Sequence, residues 1–352
     1  MENKSMAAYG WTDQYEACAK DWDAQYTAGR ILSQEKGLYR VISEAGEQLA
    51  ELSGRLRYSA RSAVELPAVG DFVRMDCNSH QGNAIIHEIL PRKSVFIRKA
   101  AGKGNTEQVV AANIDTVFIC MSLNHDFNLK RLERYLSVAW ESGAIPVIVL
   151  TKADLCADLA QFMDAVSSVA PGMDVVVTSA LEREGYERIL PYIRDGKTVA
   201  LIGSSGVGKS TLINRLLGEN RLDTNGLRND DKGRHTTTRR ELFLLERGGM
   251  VIDTPGMREL GLWNADDGVN QAFAELDALA GMCRFRNCSH SGEPHCAVRA
   301  AIEKGQLSED RLLSYQKLKA ENRYVEDTKQ YQAEKKQKFK KISIINKSMR
   351  GK

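Results

Sequence analysis

The spacing of apolar positions changes near residue 107, and this change divides the chain into two kinds of pattern. Between residues 28 and 99, short segments alternate apolar and polar side chains and are separated by glycines and polar turns. Examples are GLYRVIS, EQLAELSG, DFVRMDC and NAIIHEIL, with the turn PAVGD before the third. Period-two alternation is typical of strands that bury one face, so this part of the chain predicts four or five strands closed into a small β-barrel.

Residues 107–265 have a different pattern, in which continuous apolar runs alternate with helical segments. The runs are TVFICMSL, PVIVL, VVV, VALI and MVI. Buried parallel strands have this appearance. Residues 128–143 place Leu129, Leu132, Leu136 and Trp140 on one face and end in a glycine, which predicts an amphipathic helix. The alternation predicts an α/β domain whose ligand loops lie at the carboxyl ends of its strands.

Residues 197–211, KTVALIGSSGVGKST, contain a G-x-x-x-x-G-K-[ST] phosphate loop between a predicted strand and a predicted helix. The candidate nucleotide-binding residues are Gly203, Ser204, Ser205, Gly206, Val207, Gly208, Lys209, Ser210 and Thr211. Glycines let the backbone N–H groups turn toward phosphate oxygens. We expect Lys209 to reach the β- and γ-phosphates and Ser210 to bind Mg²⁺. The alternative is a glycine-rich strand-to-helix turn without a ligand.

Two switch motifs follow the phosphate loop. Residues 253–256 read DTPG after an apolar run, so Asp253 is expected to hold Mg²⁺ through water and the Gly256 N–H to contact the γ-phosphate. The polar segment 222–240 contains GRHTTT, where Thr236 or Thr237 is expected to close on Mg²⁺ when the γ-phosphate is present.

The base-recognition motif lies upstream of the phosphate loop. Residues 257–352 contain no [NT]-K-x-D, whereas an apolar run leads into Thr151, Lys152, Ala153 and Asp154. After the VVV run come Ser179 and Ala180, as in a loop that contacts guanine O6. The motif order of a GTPase is therefore circularly permuted. Asp154 is expected to accept from guanine N1 and N2 and so to exclude adenine. Thr151 replaces an asparagine, which removes the amide that usually bridges the base and the phosphate loop.

A cluster of metal-ligand residues follows residue 266. Cys283, Cys288, His290 and Cys296 form a C-x4-C-x-H-x5-C set, and three thiolates with one imidazole are typical of a closed, structural Zn²⁺ site. His295 is a competing ligand, although its neighbour Cys296 would make a strained pair. The alternative is a loop with free thiols. Residues 297–341 are predicted to be helical and to lead into a basic tail.

Composition adds limits on compartment and partners. The chain has 352 residues, of which 43% are hydrophobic and 27% charged. It has no apolar run of membrane-spanning length and no apolar leader at its N-terminus, so a cytoplasmic location is expected. The net charge is only +3, yet residues 89–106 and 331–352 are strongly basic. These zones favour a polyanionic partner, with two solvated faces as the alternative.

The patterns together predict four segments in a multidomain α/β protein. They are an N-terminal extension (1–27), an OB-fold β-barrel (28–105), a circularly permuted P-loop GTPase domain (106–265), and a zinc-binding helical domain with a basic tail (266–352). Small barrels of this type often bind nucleic acid, although the barrel could serve only as a structural module.

The permuted motifs and the C-x4-C-x-H-x5-C cluster together resemble the ribosome small-subunit-dependent GTPase A (RsgA/YjeQ) family. The resemblance covers about residues 28–340. It implies a GTPase that binds the 30S subunit and 16S rRNA during late small-subunit maturation, hydrolyses GTP faster on the subunit, and carries one structural Zn²⁺ besides the Mg²⁺ that accompanies GTP. One nucleotide site flanked by two RNA-facing modules favours a monomer.

The sequence also bears on the rate of hydrolysis. Met257 stands where many GTPases have a water-orienting glutamine, so slow intrinsic turnover is expected until a partner completes the site. Lys209 and His235 are the catalytic candidates, with His235 orienting water or, alternatively, only capping a loop. Because Gly256 leads directly toward the zinc module, GTP and GDP are expected to place residues 266–352 differently. The competing functions are an RNA-binding scaffold and a GTPase that acts on another ribosomal RNA.

Overall fold

The computed structural model describes residues 5–35, 37–76, 82–99, 107–179, 183–219, 221–222, 240–253 and 265–323. The N-terminal extension is partly helical, with a 3₁₀ helix at Met6–Tyr9 and helix α1 at Asp13–Ala19. Met6 and Tyr15 are buried in a small cluster with Phe72 of the barrel. The extension is therefore packed against the barrel rather than separate from it.

The barrel has five strands, which confirms the prediction from alternating residues. The strands are β1 (Tyr26–Glu35), β2 (Leu38–Ser43), β3 (Gly46–Leu52), β4 (Phe72–Asp76) and β5 (Ala84–Ile89), with helix α2 (Gly54–Ser59) between β3 and β4. Their order is β1-β2-β3-β5-β4, and antiparallel pairing of β1 with β4 closes the barrel. Alternate residues of these strands, including Val41, Val73 and Ile86, are fully buried and fill the interior.

The chain then forms a two-stranded hairpin and a larger α/β domain. The hairpin strands are β6 (Val95–Lys99) and β7 (Glu107–Ala112). The α/β elements are β8 (Thr116–Ser122), α3 (Leu129–Ser142), β9 (Ile145–Thr151), α4 (Leu159–Val169), β10 (Val175–Val177), α5 (Arg183–Glu187), β11 (Thr198–Ile202), α6 (Lys209–Leu217), β12 (Glu241–Leu244) and β13 (Met250–Asp253). The hairpin pairs residues on the two sides of position 105, where the sequence predicts a domain boundary.

The sheet of the α/β domain has the order β10-β9-β8-β11-β13-β12. All neighbouring pairs are parallel except β12 with β13. Strands β8 and β11 are buried along their whole length, which explains their continuous apolar sequences. Parallel pairing brings the carboxyl ends of β8, β9, β11 and β13 to one edge, where the predicted ligand loops begin. Among the described residues, the pair Ser33 and Glu241 continues the sheet into the barrel.

The C-terminal helices pack against one face of the α/β domain. They are α7 (Asp266–Ala272), α8 (Ala274–Gly281), α9 (Ala297–Glu303) and α10 (309–323). Helix α7 lies against α3 so closely that a Cβ on Gly268 would come within 2.0 Å of the Ser137 carbonyl oxygen. In the described ranges, no helix combines the length and the apolar character that crossing a membrane requires.

One buried cation joins three parts of the chain. Arg30, at 1% exposure, donates from Nη2 to Thr198 Oγ1 at 2.8 Å and to the Asn113 carbonyl oxygen at 3.2 Å. Its Nε donates to the Gly70 carbonyl oxygen at 3.2 Å, and its Nη1 to the Tyr9 carbonyl oxygen. Barrel, α/β domain and N-terminal extension therefore share one hydrogen-bonded side chain.

Candidate nucleotide site and metal cluster

The phosphate loop lies between β11 and α6, as the sequence predicts. Gly203 has φ of +146°, and a Cβ there would come within 2.4 Å of the Cys120 carbonyl oxygen on β8. Gly208 precedes α6 with φ of +100°. Only glycine adopts such angles without strain, so the backbone curls between a buried strand and a helix N-terminus. Ser210 and Thr211 follow Lys209 in the first turn of α6, where backbone N–H groups attract anions.

Ser204 is held from two sides. Its carbonyl oxygen accepts from Lys209 Nζ at 2.6 Å, and the Gly203 carbonyl oxygen accepts from the same ammonium at 2.7 Å. Its hydroxyl donates to Asp126 Oδ2 at 2.5 Å and accepts from Arg131 Nη1 at 2.9 Å. Partial burial raises the pKa of Asp126, but hydrogen bonds from Ser204 and Arg131 outweigh it and hold that pKa below its usual value.

The base motif TKAD contacts the phosphate loop directly. Thr151, at 5% exposure, ends β9, and its hydroxyl donates to the Val207 carbonyl oxygen at 2.6 Å. Thr151 lacks the amide that usually bridges the base and the phosphate loop, but its hydroxyl contacts the phosphate loop instead. A threonine hydroxyl is short, but β9 ends close enough to the loop for it to reach.

The two predicted base loops also meet. Ser179, which is buried, donates from its hydroxyl to Asp154 Oδ1 at 2.6 Å. The Ala153 N–H donates to the Thr178 carbonyl oxygen at 3.2 Å, which ties the loop after β9 to the loop after β10. Lys152 has φ of +59°, a left-handed conformation that turns the chain sharply after β9. Asp154 is exposed at this turn, so its carboxylate is accessible to a base.

Asp253 is the last residue of β13 and is partly buried. Strand β13 is parallel to β11, with Ile252 opposite Ala200, so Asp253 lies at the same sheet edge as the phosphate loop. The remaining predicted site residues, Ala180, His235, Thr236, Thr237 and Gly256, lie outside the described residues.

The predicted metal ligands converge between α8 and α9. The ligand atoms of Cys283, Cys288, His290 and Cys296 all lie within 4.8 Å of one another. The Sγ atoms of Cys283 and Cys296 are 3.8 Å apart, and His290 Nδ1 lies 3.4 Å from Cys296 Sγ. His295, considered as a competing ligand, is not in the cluster that the described residues form. This donor set could hold one metal ion.

Comparison with known proteins identifies the family of this chain. The chain is 51% identical over 321 residues to "Small ribosomal subunit biogenesis GTPase RsgA 2" of Lactiplantibacillus plantarum, covering 91% of this chain and 90% of the relative. A relative from Methanosarcina acetivorans with the name "Small ribosomal subunit biogenesis GTPase RsgA" is 44% identical, over 88% of this chain and 83% of its own. This chain belongs to the RsgA GTPase family. A family model described as "RsgA GTPase" matches residues 89–263.

Two solved structures resemble this RsgA-family chain over most of its length. YjeQ from Thermotoga maritima has a TM-score of 0.63 and 26% identity, covering 83% of this chain and 97% of its own. YloQ, described as a circularly permuted GTPase, has a TM-score of 0.61 and 25% identity, with 87% and 96% coverage. The predictions of a permuted GTPase fold and of a GTP hydrolase are confirmed. A second model, described as "50S ribosome-binding GTPase", matches residues 198–347.

Two side chains outside the sequence motifs also contact the phosphate loop of this RsgA-family chain. Asp126 and Arg131 contact Ser204, yet neither belongs to a recognised nucleotide motif. The available signal was positional, because Asp126 follows β8, one of the strands whose carboxyl ends meet at the phosphate loop. The sequence placed the strand correctly, and only the sheet order showed that its loop faces Ser204.

Proposed function

We propose that this protein hydrolyses GTP to GDP and phosphate while bound to the small (30S) ribosomal subunit late in subunit maturation. GTP binding is supported chiefly by the contact between the TKAD loop and the phosphate loop, in which Thr151 donates to the Val207 carbonyl oxygen. The names of relatives at 51% and 44% identity support the ribosomal partner.

Each side chain of the site has a role in this proposal. Asp154 accepts from guanine N1 and N2, and the Lys152 stem lies along the base. Lys209 would bind the β- and γ-phosphates, and Ser210 and Asp253 would hold Mg²⁺. Thr236 or Thr237 would bind Mg²⁺ in the GTP state, and the Gly256 N–H would contact the γ-phosphate. This chain thereby aligns the nucleotide, and Mg²⁺ supplies charge stabilisation when bound.

The attacking water needs a separate partner, because Met257 has no hydrogen-bonding group to orient it. We assign that role to His235, which adjoins Thr236 in the sequence. His235→Ala should reduce subunit-stimulated hydrolysis by roughly 10²-fold or more while leaving GTP affinity unchanged. Full stimulated hydrolysis by a variant that binds normally would remove His235 from the mechanism.

The metal of the cysteine cluster is proposed to be structural Zn²⁺. Thiolates bind Zn²⁺ at about 2.3 Å, which places two sulfurs of a regular tetrahedron about 3.8 Å apart. The Cys283–Cys296 separation of 3.8 Å matches this value. Four protein ligands fill the coordination shell, so the ion holds the segment between α8 and α9 together and performs no chemistry.

The partner is tested by measuring GTP turnover with purified 30S subunits, purified 50S subunits, or neither. We expect slow turnover alone and roughly 10³-fold or greater stimulation by 30S subunits only. Stimulation by 50S subunits alone would favour the second candidate, a GTPase acting on another ribosomal RNA. The match to the "50S ribosome-binding GTPase" model is the observation that favours this candidate.

The finer features of the proposal follow from this partner. Contact with 16S rRNA uses the basic segments 89–106 and 331–352, and binding should weaken steeply as salt rises. The protein works as a monomer, since the site takes all its proposed ligands from one chain. Its place is the cytoplasm, where ribosomal subunits mature. Crosslinking to 16S rRNA and sedimentation of the free protein test the first two points.

A further inference from the structure

The start of helix α3 contacts the phosphate loop. Arg131 Nη1 lies 2.9 Å from each oxygen of Asp126 and 2.9 Å from Ser204 Oγ, and the Ser204 hydroxyl in turn donates to Asp126. The Asn128 side chain caps the helix by accepting from the Arg131 N–H at 3.0 Å. Ser204 is thus fixed by two charged groups that the helix N-terminus holds in place.

The same turns of α3 contact the C-terminal helices. Arg134 forms a bidentate ion pair with Glu321 of α10, with Nη1–Oε1 at 2.6 Å and Nη2–Oε2 at 2.7 Å. Glu133 Oε1 accepts from Arg311 Nη1 at 2.8 Å, and both side chains are less than 5% exposed. Glu133 and Arg134 lie within three positions of Arg131 in the sequence. One helical segment therefore contacts the phosphate loop and α10 together.

We propose that α3 couples the position of the C-terminal helices to the phosphate loop, with Asp126 and Arg131 as positioning residues for Ser204. A change in the docking of α10 alters nucleotide affinity through this segment. The inference rests on the GTPase assignment and not on the identity of the ribosomal partner. Its test therefore uses the free protein, and failure of the 30S proposal leaves it unaffected.

The physical basis is the rigidity of each contact along the segment. A helix moves as a unit, and two-pronged charge pairs fix both distance and angle. A shift of α10 that moves Arg134 through its ion pair with Glu321 therefore also displaces Arg131. Ser204 transmits the displacement, because its carbonyl oxygen accepts from Lys209, the phosphate-binding ammonium. A double-mutant cycle measures this coupling between α10 and the phosphate loop.

The experiment measures the Kd of the full chain for a fluorescent GDP analogue. Ser204→Ala should weaken binding by roughly tenfold, because it removes hydrogen bonds to charged groups without changing the net charge. Glu321→Gln should weaken binding by roughly threefold, although Glu321 does not contact the phosphate loop. The double variant should bind within about twofold of Ser204→Ala, because the coupled contact is already lost.

Asp310→Asn is the matched control. It also removes an α10 carboxylate paired with α3, but the Lys130–Asp310 pair is largely exposed and contributes little. The charge-reversed pair Arg134→Glu with Glu321→Arg should restore nucleotide affinity. Circular dichroism at the binding temperature confirms that each variant is folded. Equal Kd values for Glu321→Gln and Asp310→Asn, or multiplicative effects in the double variant, would overturn the proposal.

Discussion

At the scale of single residues, the phosphate loop depends on backbone angles that few side chains tolerate. Gly203 combines φ of +146° with a space that ends at the Cys120 carbonyl oxygen, 2.4 Å from an added Cβ. Neighbouring backbone on β8 cannot move away, because that strand is buried between β9 and β11. The position therefore requires glycine for both conformation and space.

Gly203→Ala should abolish measurable nucleotide binding and lower the free energy of unfolding by more than about 2 kcal/mol. Nucleotide titration and thermal denaturation measure the two effects. Gly46→Ala is the control, because φ there is +105° and an added Cβ meets nothing within 4 Å. If the two variants lost equal stability, strain in φ alone would explain the result and the contact with Cys120 would be irrelevant.

Thr151 offers a second test at this scale, because its hydroxyl links the base loop to the Val207 carbonyl oxygen. Thr151→Val keeps the shape but removes the donor, so GTP affinity should fall by roughly tenfold, equivalent to about 1.4 kcal/mol. Thr151→Ser keeps the hydroxyl and should bind GTP within about twofold of the unmodified protein. Isothermal titration measures both, and an unchanged affinity in Thr151→Val would show that the link is dispensable.

At the scale of elements, the segment between α8 and α9 has little regular structure of its own. Residues 282–296 contain no helix or strand, and Met282 and Phe285 are exposed. The apolar contacts of this segment with the main core come from the cysteines of the cluster itself. The four ligand residues bring distant backbone positions together, so bound metal should determine whether the segment folds.

Removal of the metal should therefore unfold this segment. Cys288→Ser should lose the proposed zinc and become sensitive to protease between residues 282 and 296, because metal binding in small sites is worth on the order of 10 kcal/mol. His295→Ala should keep one zinc per chain, since His295 lies outside the ligand cluster. Metal analysis with limited proteolysis distinguishes them. If His295→Ala lost zinc, His295 rather than His290 would be the fourth ligand.

At the scale of the whole molecule, a buried ion pair docks the C-terminal helices onto the α/β domain. Arg311 contacts Glu133 of α3, Glu275 of α8 at 2.8 Å and the Ala272 carbonyl oxygen at 2.7 Å. Its guanidinium also lies over the Phe273 ring, 4.0 Å from the centroid. Removing one partner of a buried pair leaves the other charge uncompensated, which is more costly than losing both.

Arg311→Met should lower the free energy of unfolding by about 3–5 kcal/mol, because it leaves the Glu133 carboxylate buried without a cation. The double variant Arg311→Met with Glu133→Leu should recover a large part of that loss. Denaturant titration of both proteins measures the difference. Equal stability of the single and double variants would show that the buried charge on Glu133 is not the source of the cost.

The sequence by itself determined the elements and the chemistry. Continuous apolar runs identified the strands before the TKAD, SA, phosphate-loop and DTPG motifs. Cysteine spacing identified the four candidate metal ligands, whose side chains the structure brings together. These features depend on residues close together in the chain, such as Gly203 to Ser210, where local backbone requirements and ligand chemistry restrict the residue types. Helix α3 was predicted within one residue at each end for the same reason.

The tertiary structure decided which of these elements meet. Several contacts join residues more than 50 positions apart in the chain. They are the packing of the N-terminal extension on the barrel, the hydrogen bond from Thr151 to Val207, and the contacts of Ser204 with Asp126 and Arg131. Such contacts depend on sheet order and helix docking, which many distant side chains determine jointly. Arg311 looks like an ordinary surface arginine in the sequence, and only the packing of α10 on α3 makes it a buried one.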